Sequence, residues 1–552
     1  MNRPIPPGFE ADIQRTQQLE KQRQQDPLAT VALIQLYSQM LDRLSSDEYP
    51  TFYASLQYNL GLTYRNLVAG DHTANLQQAI ACYQEALRIW TPETAPLNYA
   101  MTQHNLGVAY RSLLAGDRTA NLERAIACFQ QALRFRTLET DPSGYASTWN
   151  NLGVAYADLL TGNRTANLER AIACYQEALR IWTPETAPFN YAMTQNNLGV
   201  AYRDMPIGNR VVNLEHAIAC FEEALRFWTP ETATLNYARA QHNLGLAYSD
   251  LPTGDQVANL ERAIACYQEA LRFRTPETAP LDYALTQNNL GMVYRDLPTG
   301  NRTVNLKRAI ACLEEALRFR TPETAPLDYA STQNNLGLVY SELLAGDRTA
   351  NLERAIACFQ EALRFRTPET APLDYAGTQN NLGAAFRNLP TGDRTANLER
   401  AIACFQEVLH FWTPATSPLD YALTQNNLGV VYRDLPSGNH VVNLERAIAC
   451  FREALRFYTP EAEPLSYAMT QYNLGGTYWK LPVGDRAVNL ERAITCYREA
   501  LHFYTFETEP FNYAMTQHNL GVAYRDLPEG DKIDNLERAI ACFQEDLRFC
   551  RP

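Results

Sequence analysis

The sequence is dominated by a unit of 46 residues that is repeated eleven times in nearly the same words. The segment TQNNLGVVYRDLPSGNHVVNLERAIACF, residues 424–451, recurs with few changes 46 residues earlier and 46 residues later. A period of this length is typical of arrays in which each unit packs on its neighbours. The chain of 552 residues is therefore predicted to form a repeat array rather than several unrelated globular domains.

Each unit contains two segments with helical periodicity, as residues 96–141 illustrate. Pro96 opens the first segment, where proline suits the first turn of a helix, and only Thr234 breaks this rule among the eleven units. We expect Gly116 to end the first helix in a left-handed C-cap conformation and Asn121 to N-cap the second helix. Each unit is thus predicted to be helix, loop, helix, loop.

A second glycine, Gly107, falls in the middle of the first helix of this unit. Glycine costs about 1 kcal/mol relative to alanine at such a position, so a helix keeps it where another helix must approach closely. We expect the partners to be small residues of the second helix, such as Ala125 and Ala132.

The unit resembles the tetratricopeptide repeat (TPR), whose pattern is W-x2-L-G-x2-Y, then A-x3-F and a further alanine. The matching residues in the example unit are Leu106, Gly107, Tyr110, Ala125, Phe129 and Ala132. The unit has 46 residues where the family has about 34, and it is similar to the long repeats of bacterial TPR arrays joined to CHAT or other signalling domains, and of kinesin light chains. This resemblance covers about residues 27–552. It implies an all-α, right-handed superhelical solenoid of tandem helix-turn-helix repeats.

The two ends of the array depart from the repeat. Residues 1–49 are predicted to form N-terminal capping helices that include a degenerate half-repeat, and residues 50–552 to form the eleven repeats. In the last repeat Asp546 replaces an alanine, which we interpret as partial capping. Phe543, Leu547 and Phe549 are expected to stay partly exposed, so either the array docks on something there or a following domain is missing.

Charge and composition exclude several classes of function. A net charge of −13 argues against nucleic-acid binding, and no apolar run approaches the roughly 20 residues of a membrane span. Eleven of the twelve cysteines, Cys82 to Cys542, recur at one position of an apolar helical stripe, so we expect buried, reduced thiols and a cytoplasmic protein. The remaining cysteine is Cys550. No catalytic, metal-binding or cofactor motif is present, so no enzyme activity is expected.

The strongest candidate for a binding site is the asparagine that precedes the Leu-Gly pair in every unit. These residues are Asn59, Asn105, Asn151, Asn197, Asn243, Asn289, Asn335, Asn381, Asn427, Asn473 and Asn519. Asparagine is a poor mid-helix residue, but its amide can pair with the C=O and N–H of an extended peptide. Helices about 10 Å apart match about three residues of extended chain. The TPR resemblance implies that such a ladder holds a peptide backbone, whereas the amides could equally bond neighbouring repeats together.

Arginine stands four residues after the same glycine in seven units. These residues are Arg65, Arg111, Arg203, Arg295, Arg387, Arg433 and Arg525. If they line the groove, they would favour an acidic peptide. The alternative is that they form solvated pairs with nearby carboxylates, which contribute at most about 1 kcal/mol each.

Three hypotheses for function follow from the sequence. The first is a non-catalytic scaffold that binds an extended peptide or partner protein along the concave groove. The second is a sensor or regulatory arm of a bacterial signalling assembly whose effector domain is another chain or is missing. The third is self-association through the C-terminal repeat, or a purely structural spacer.

Overall fold

The computed structural model describes residues 6–23, 26–528 and 530–549, and these residues form 24 helices and no strand. The prediction of an all-α helical-repeat solenoid is confirmed. The chain divides between Thr278 and Ala279 into two compact units, and every helix lies whole within one of them. None of the helices in the described residues combines the length and apolar composition that a membrane span requires.

Unit 1 contains α1 to α12, which pack in chain order. Their bounds are α1 Glu10–Gln22, α2 Pro27–Asp42, α3 Pro50–Arg65, α4 His72–Leu87, α5 Pro96–Ser112, α6 Arg118–Leu133, α7 Pro142–Asp158, α8 Arg164–Leu179, α9 Pro188–Arg203, α10 Arg210–Leu225, α11 Pro230–Asp250 and α12 Gln256–Leu271. From α3 onward the odd-numbered helices are the first helices of the repeats and the even-numbered ones are the second helices.

Unit 2 contains α13 to α24 in the same alternation. Their bounds are α13 Pro280–Asp296, α14 Arg302–Leu317, α15 Pro326–Glu342, α16 Arg348–Ala362, α17 Pro372–Asn388, α18 Arg394–Val408, α19 Pro418–Asp434, α20 His440–Ala454, α21 Pro464–Lys480, α22 Arg486–Leu501, α23 Pro510–Asp526 and α24 Lys532–Phe549.

In ten of the eleven repeats the first helix begins at the proline of the template position, as expected. In the remaining repeat, Thr234 takes its place, and α11 begins earlier, at Pro230. Ala233 keeps φ −156° and ψ 55°, close to the φ −156° and ψ 67° of Ala95, the residue that precedes α5. The chain therefore bends at the same point in this repeat, although the preceding turn is joined to the helix.

The loop between the two helices differs in part from the prediction. Gly116 is left-handed, with φ +78°, but it lies four residues beyond the end of α5 and is not a helix cap. The prediction that Asn121 N-caps the second helix is wrong. Asp117 is the cap, because its Oδ1 accepts a hydrogen bond of 3.0 Å from the backbone N–H of Ala120. Asn121 lies buried inside α6, where its Nδ2 donates to carbonyl oxygens of the loop.

The mid-helix glycine allows the two helices of a repeat to approach closely. A Cβ atom on Gly107 would lie 2.8 Å from Cε1 of Phe129, a ring that is fully buried. The closest neighbour is therefore the ring of the second helix and not the methyl groups of Ala125 or Ala132, which the sequence had suggested. Ten of the eleven repeats place an aromatic ring against this glycine, and the eleventh places Leu313 against Gly291.

The eleven cysteines of the repeat position are unpaired, and their side chains are buried or half-buried. Burial raises the pKa of Cys128 and of Cys174 to about 12, because the apolar surroundings disfavour the thiolate. These groups are therefore protonated thiols at neutral pH. Cys550 lies outside the described residues.

At the N-terminal end, α1 packs on α2 and α2 packs on α3. Their shared core includes Phe9, Leu33, Met40 and Leu56. The two helices therefore cover the first repeat. The division into an N-terminal cap over residues 1–49 and repeats over residues 50–552 stays a prediction.

At the other end, the second helix of the last repeat shows apolar side chains. Leu547 is 55% exposed and Phe543 is half-buried, while the side chain of Phe549 lies outside the described residues. Asp546 lies 3.0 Å from Nδ1 of His518 on the preceding helix. The aspartate thus has a polar partner within its own repeat.

Two adjacent glycines in α21 allow a test of the close approach. A Cβ atom on Gly475 would lie 2.9 Å from Cε1 of Tyr497, whereas a Cβ atom on Gly476 would lie 3.5 Å from the Tyr497 hydroxyl, an ordinary contact. We expect Gly475→Ala to lower the melting temperature, because overpacking costs about 1–3 kcal/mol. Gly476→Ala should raise it, because alanine is the better helix former by about 1 kcal/mol. Equal effects of the two substitutions in thermal melts would contradict this account.

Candidate functional site: the first-helix face

The candidate site residues all lie on first helices. Within each unit, consecutive first helices contact one another, whereas consecutive second helices do not among the described residues. We call the surface made by the first helices of a unit the first-helix face. Adjacent repeats pack mainly through the second helix of one repeat and the first helix of the next, but their first helices also contact, so polar side chains on this face can bond from one repeat to the next.

Most of the predicted asparagines donate a hydrogen bond from Nδ2 to the side chain 47 residues earlier, in the preceding repeat. The acceptor is an asparagine Oδ1 for Asn197 (Asn150, 3.3 Å), Asn243 (Asn196, 3.1 Å), Asn335 (Asn288, 3.1 Å), Asn381 (Asn334, 3.1 Å), Asn427 (Asn380, 3.4 Å) and Asn473 (Asn426, 3.3 Å). It is a tyrosine hydroxyl for Asn105 (Tyr58, 2.7 Å) and Asn519 (Tyr472, 2.9 Å). These bonds tie neighbouring repeats together within each unit.

Three asparagines depart from this pattern. Asn151 bonds the carbonyl oxygen of Ser147 in its own helix, and Asn289 accepts a bond from the adjacent Asn288. Asn59 makes no side-chain hydrogen bond within the described residues. The amide is therefore not equally constrained in all repeats.

In the repeat before Asn151, a histidine stands at the acceptor position. Nδ1 of His104 lies 2.9 Å from the hydroxyl of Thr148, so the contact between these two repeats runs through a different pair. Burial, and then the charge of Arg136, lowers the pKa of His104 to about 3. The imidazole is therefore neutral at physiological pH.

Three of the predicted arginines contact the asparagine of the following repeat. Nη1 donates to Oδ1 in Arg65–Asn105 (2.6 Å), Arg387–Asn427 (2.9 Å) and Arg433–Asn473 (3.1 Å). In these repeats the amide donates on one side and accepts on the other. Both the nitrogen and the oxygen of the amide are thus hydrogen-bonded to neighbouring residues of the array.

The charges of several arginines are balanced by carboxylates one residue further along the chain. The pairs are Arg203–Asp204 (2.8 Å), Arg295–Asp296 (2.7 Å), Arg433–Asp434 (3.0 Å) and Arg525–Asp526 (2.9 Å). Burial lowers the pKa of Arg111, an effect that the charge of Asp158 opposes. The first-helix face is therefore not a stripe of unpaired positive charge.

What the face can still offer is hydrogen-bond acceptors. Oδ1 receives no hydrogen bond within the described residues in Asn197, Asn243, Asn335 and Asn381. Their side chains are half-buried, so a ligand can reach them from solvent. An amide oxygen in this position can accept a bond from a peptide N–H.

The sequence analysis missed the partners of the ladder, which stand one position before each predicted asparagine. The signal was present, because six repeats read Asn-Asn before Leu-Gly, from Asn150 to Asn426. The first asparagine of each pair accepts a hydrogen bond from the following repeat, and the second donates to the preceding repeat in four of the six pairs. Only the register between neighbouring first helices shows that the first asparagine of one repeat and the second asparagine of the next repeat form one contact.

A tyrosine near the start of the first helix anchors a second polar network. The ring of Tyr191 packs edge-on against Phe227, with ring centroids 5.5 Å apart. Its hydroxyl donates to Glu223 and accepts from Gln195. Glu223 also pairs with Arg226 at 2.8 Å. The tyrosine therefore joins the first and second helices of its repeat.

Among the described residues, no group of three or more His, Cys, Asp and Glu side chains is placed to hold a metal ion. The polar side chains of the first-helix face are amides and guanidinium groups that bond one another. This arrangement is suited to hydrogen-bonding a ligand.

A model of the Sel1 repeat matches the chain in eight places. These are residues 54–88, 100–134, 150–180, 238–272, 284–318, 330–364, 422–456 and 468–501. Each match spans more than half of a first helix and the whole of the second helix that follows it. A search of curated proteins found no match to the sequence.

Several solved structures are similar over most of the chain. Yeast Tom70 is 14% identical over 92% of this chain and 93% of that chain, with a TM-score of 0.34. The APC/C hetero-tetramer Cut9-Hcn1 is 17% identical over 92% and 94%, with a TM-score of 0.35. The TPR domain of P58(IPK) is 13% identical over 81% and 98%, with a TM-score of 0.21. None of these superpositions reaches a TM-score of 0.5, so the class of repeat rests on the helix pairs and the Sel1 matches.

The amide ladder can be tested on two asparagines that differ in their bonding. Asn427 is buried and bonds both Asn380 and Arg387, whereas Asn59 has no side-chain hydrogen bond within the described residues. We expect Asn427→Ala to destabilise the protein by about 1–3 kcal/mol, because it leaves the Arg387 guanidinium desolvated without its acceptor. Asn59→Ala should leave the melting temperature unchanged or slightly raised. Thermal melts in which Asn427→Ala is as stable as the parent chain would refute the ladder.

Proposed function

Because this chain is a repeat protein of the tetratricopeptide type that contains Sel1 repeats, we propose that it is a non-catalytic scaffold that binds an extended segment of a partner protein along its first-helix face. Arrays of this kind present long surfaces built from many similar units. An extended segment can contact one unit after another on such a surface. The amide positions of that face are the proposed contacts.

The observation that carries this proposal is an unbonded amide oxygen that recurs in consecutive repeats. In Asn197 and Asn243, and again in Asn335 and Asn381, consecutive repeats present the same acceptor. Packed helices lie about 10 Å apart, which is the length of about three residues of extended chain. A segment could therefore place an N–H group opposite each amide, with little regard to its own side chains.

The arginines bear on the charge of the partner. Arg203 and Arg295 are partly exposed beside the ladder, but each is paired with an adjacent aspartate. An acidic segment would have to displace Asp204 or Asp296 to pair with them. The acidic partner thus stays a prediction, and the proposed segment is recognised mainly through its backbone.

Self-association through the last repeat is a second candidate. Ile540 on α24 is 55% exposed, whereas its counterpart one repeat earlier, Ile494, is 7% exposed against the next repeat. Another protein surface could cover this apolar side chain as the next repeat covers Ile494. The role of a sensor or regulatory arm stays a prediction.

The proposed location of the scaffold is the cytoplasm. The unpaired, protonated thiols from Cys82 to Cys542 are in keeping with a reducing compartment.

A test begins with extended peptides selected on the full chain from a random library. We expect Asn335→Ala to weaken the binding of selected peptides by about tenfold, which corresponds to about 1.4 kcal/mol, because a peptide N–H then loses its acceptor while desolvated. The control is Arg318→Ala, since Arg318 ends a second helix and its side chain is 68% exposed. This variant should bind as the parent chain does. Affinity is measured by calorimetry on folded protein.

Two results would contradict the proposal. If Asn335→Ala lowers the melting temperature but leaves affinity unchanged, the amide is structural and does not contact the ligand. If Arg318→Ala weakens binding as much as Asn335→Ala, the ligand does not lie on the first-helix face.

A further inference from the structure

Two positions of the 46-residue repeat place side chains that alternate from one repeat to the next. We call the side chains at these two positions the column residues. One position follows the second helix and holds Trp, Tyr or Arg in the first ten repeats, and the other lies in the first helix, five residues after the position of the template proline. Met193 of α9 shows the arrangement, because it packs against two buried clusters, one of which contains Trp182 and the other Trp228. A residue of the second kind thus fills the space between two residues of the first kind.

In unit 2 this position holds a side chain in five of the six repeats and a glycine in one. Ser331 accepts a hydrogen bond of 2.8 Å from Nη2 of Arg366. Leu423 packs against the buried cluster that contains Tyr458, and Met469 packs against the one that contains Tyr504. Gly377 has no side chain to place there. A Cβ atom on it would meet a single neighbour within 4 Å, Cζ2 of Trp412 at 3.7 Å.

The missing side chain leaves a cavity of about 370 Å³ on the first-helix face, which we call the Gly377 cavity. Its lining includes Asn334, Arg366, Asp374, Trp412 and Asp420. The ladder residue Asn381 also lines it, so a segment lying along the ladder would pass its mouth. The cavity is therefore within reach of a side chain from that segment.

The charges in the cavity are unequal. Asp374 balances the positive charge of Arg366, and the guanidinium of Arg366 also bonds Thr378 and Ser331. Asp420 has no such counterpart, since it forms no ion pair within the described residues, and the column residue eight positions before it is Trp412 and not arginine. An indole ring and an uncompensated carboxylate together favour a cation.

Another repeat carries an arginine at the template position of Gly377. Arg239, in unit 1, stands three repeats before Gly377 at the same position of the template. Its guanidinium lies 5.5 Å from the ring centroid of Trp228, and its Nη2 donates to Asn236 at 3.0 Å. Asn236 corresponds to Asp374 in the Gly377 repeat. Trp228 corresponds to Arg366, and not to Trp412, in the Gly377 repeat. The template therefore accommodates a guanidinium group at this position, against the column residue that precedes the first helix.

We propose that the Gly377 cavity binds an arginine side chain of the partner segment, with its guanidinium against Trp412 and its charge paired with Asp420. This inference rests on the proposed function, because it places the partner segment on the same face. Arginine suits the site better than lysine, since its planar group stacks on an aromatic ring and is less strongly hydrated. The cavity would give one repeat a side-chain preference that the amide ladder lacks.

The test uses the full chain and a small probe, N-acetyl-arginine methylamide, titrated by NMR. The neutral citrulline analogue is the matched comparison, because it keeps the shape and loses the charge. We expect the arginine probe to bind at least about tenfold more tightly than the citrulline analogue. Asp420→Asn should remove most of that difference.

A second experiment fills the cavity with a side chain. Gly377→Met installs the residue that Met193 and Met469 provide at the same position, so it should abolish binding of the arginine probe while the protein stays folded. The control is Leu423→Met in the next repeat, where the space is already filled, and it should bind the probe as the parent chain does. Melting temperatures of both variants check the fold.

The inference is overturned if the citrulline analogue binds as tightly as the arginine probe, or if Gly377→Met binds the probe like the parent chain. Its failure is distinguishable from that of the proposed function. If selected peptides bind more weakly to Asn335→Ala but the arginine probe does not bind, only the proposal for the Gly377 cavity is refuted. If the probe binds at Gly377 but Asn335→Ala leaves peptide affinity unchanged, only the proposal that the asparagine ladder binds peptides is refuted.

Discussion

The close approach of a first-helix glycine to a second-helix ring fixes the geometry of each repeat. In Gly429, for example, a Cβ atom would lie 2.8 Å from Cε1 of Phe451, so only glycine leaves the ring its place. The ring is fully buried, and its burial offsets the helix propensity that the glycine loses. Because the same contact recurs along the chain, the helix pairs are nearly alike and present the same side chains to their neighbours.

Because the helix pairs are nearly identical, hydrogen bonds can form between equivalent positions of neighbouring repeats. An amide such as Asn335 meets its partner Asn288 only if both helices keep the same register, and the same bond recurs 46 residues further on between Asn381 and Asn334. A residue that departs from the template in one repeat therefore changes the contacts at that repeat. His104 reroutes one contact between repeats, and Gly377 leaves a space that other repeats fill.

The sequence predicted those features that depend on neighbouring residues in the chain. The period, the proline starts and the left-handed loop glycines are of this kind, since each follows from local backbone preferences. The N-cap was misplaced because Asp117 and Asn121 are both good caps and stand one turn apart. The partners of the amide ladder, and the cavity between Gly377 and Trp412, depend on the register between repeats, which the sequence does not state.

The central claim is that the glycine and the ring act as one contact, and a double-mutant cycle on Gly429 and Phe451 measures this directly. Gly429→Ala is made in the parent chain and in Phe451→Leu, and the free energy of unfolding is measured for all four proteins. The account predicts that the alanine is clearly less destabilising beside leucine, because the smaller, flexible side chain makes room for the methyl group. Strictly additive effects would contradict it.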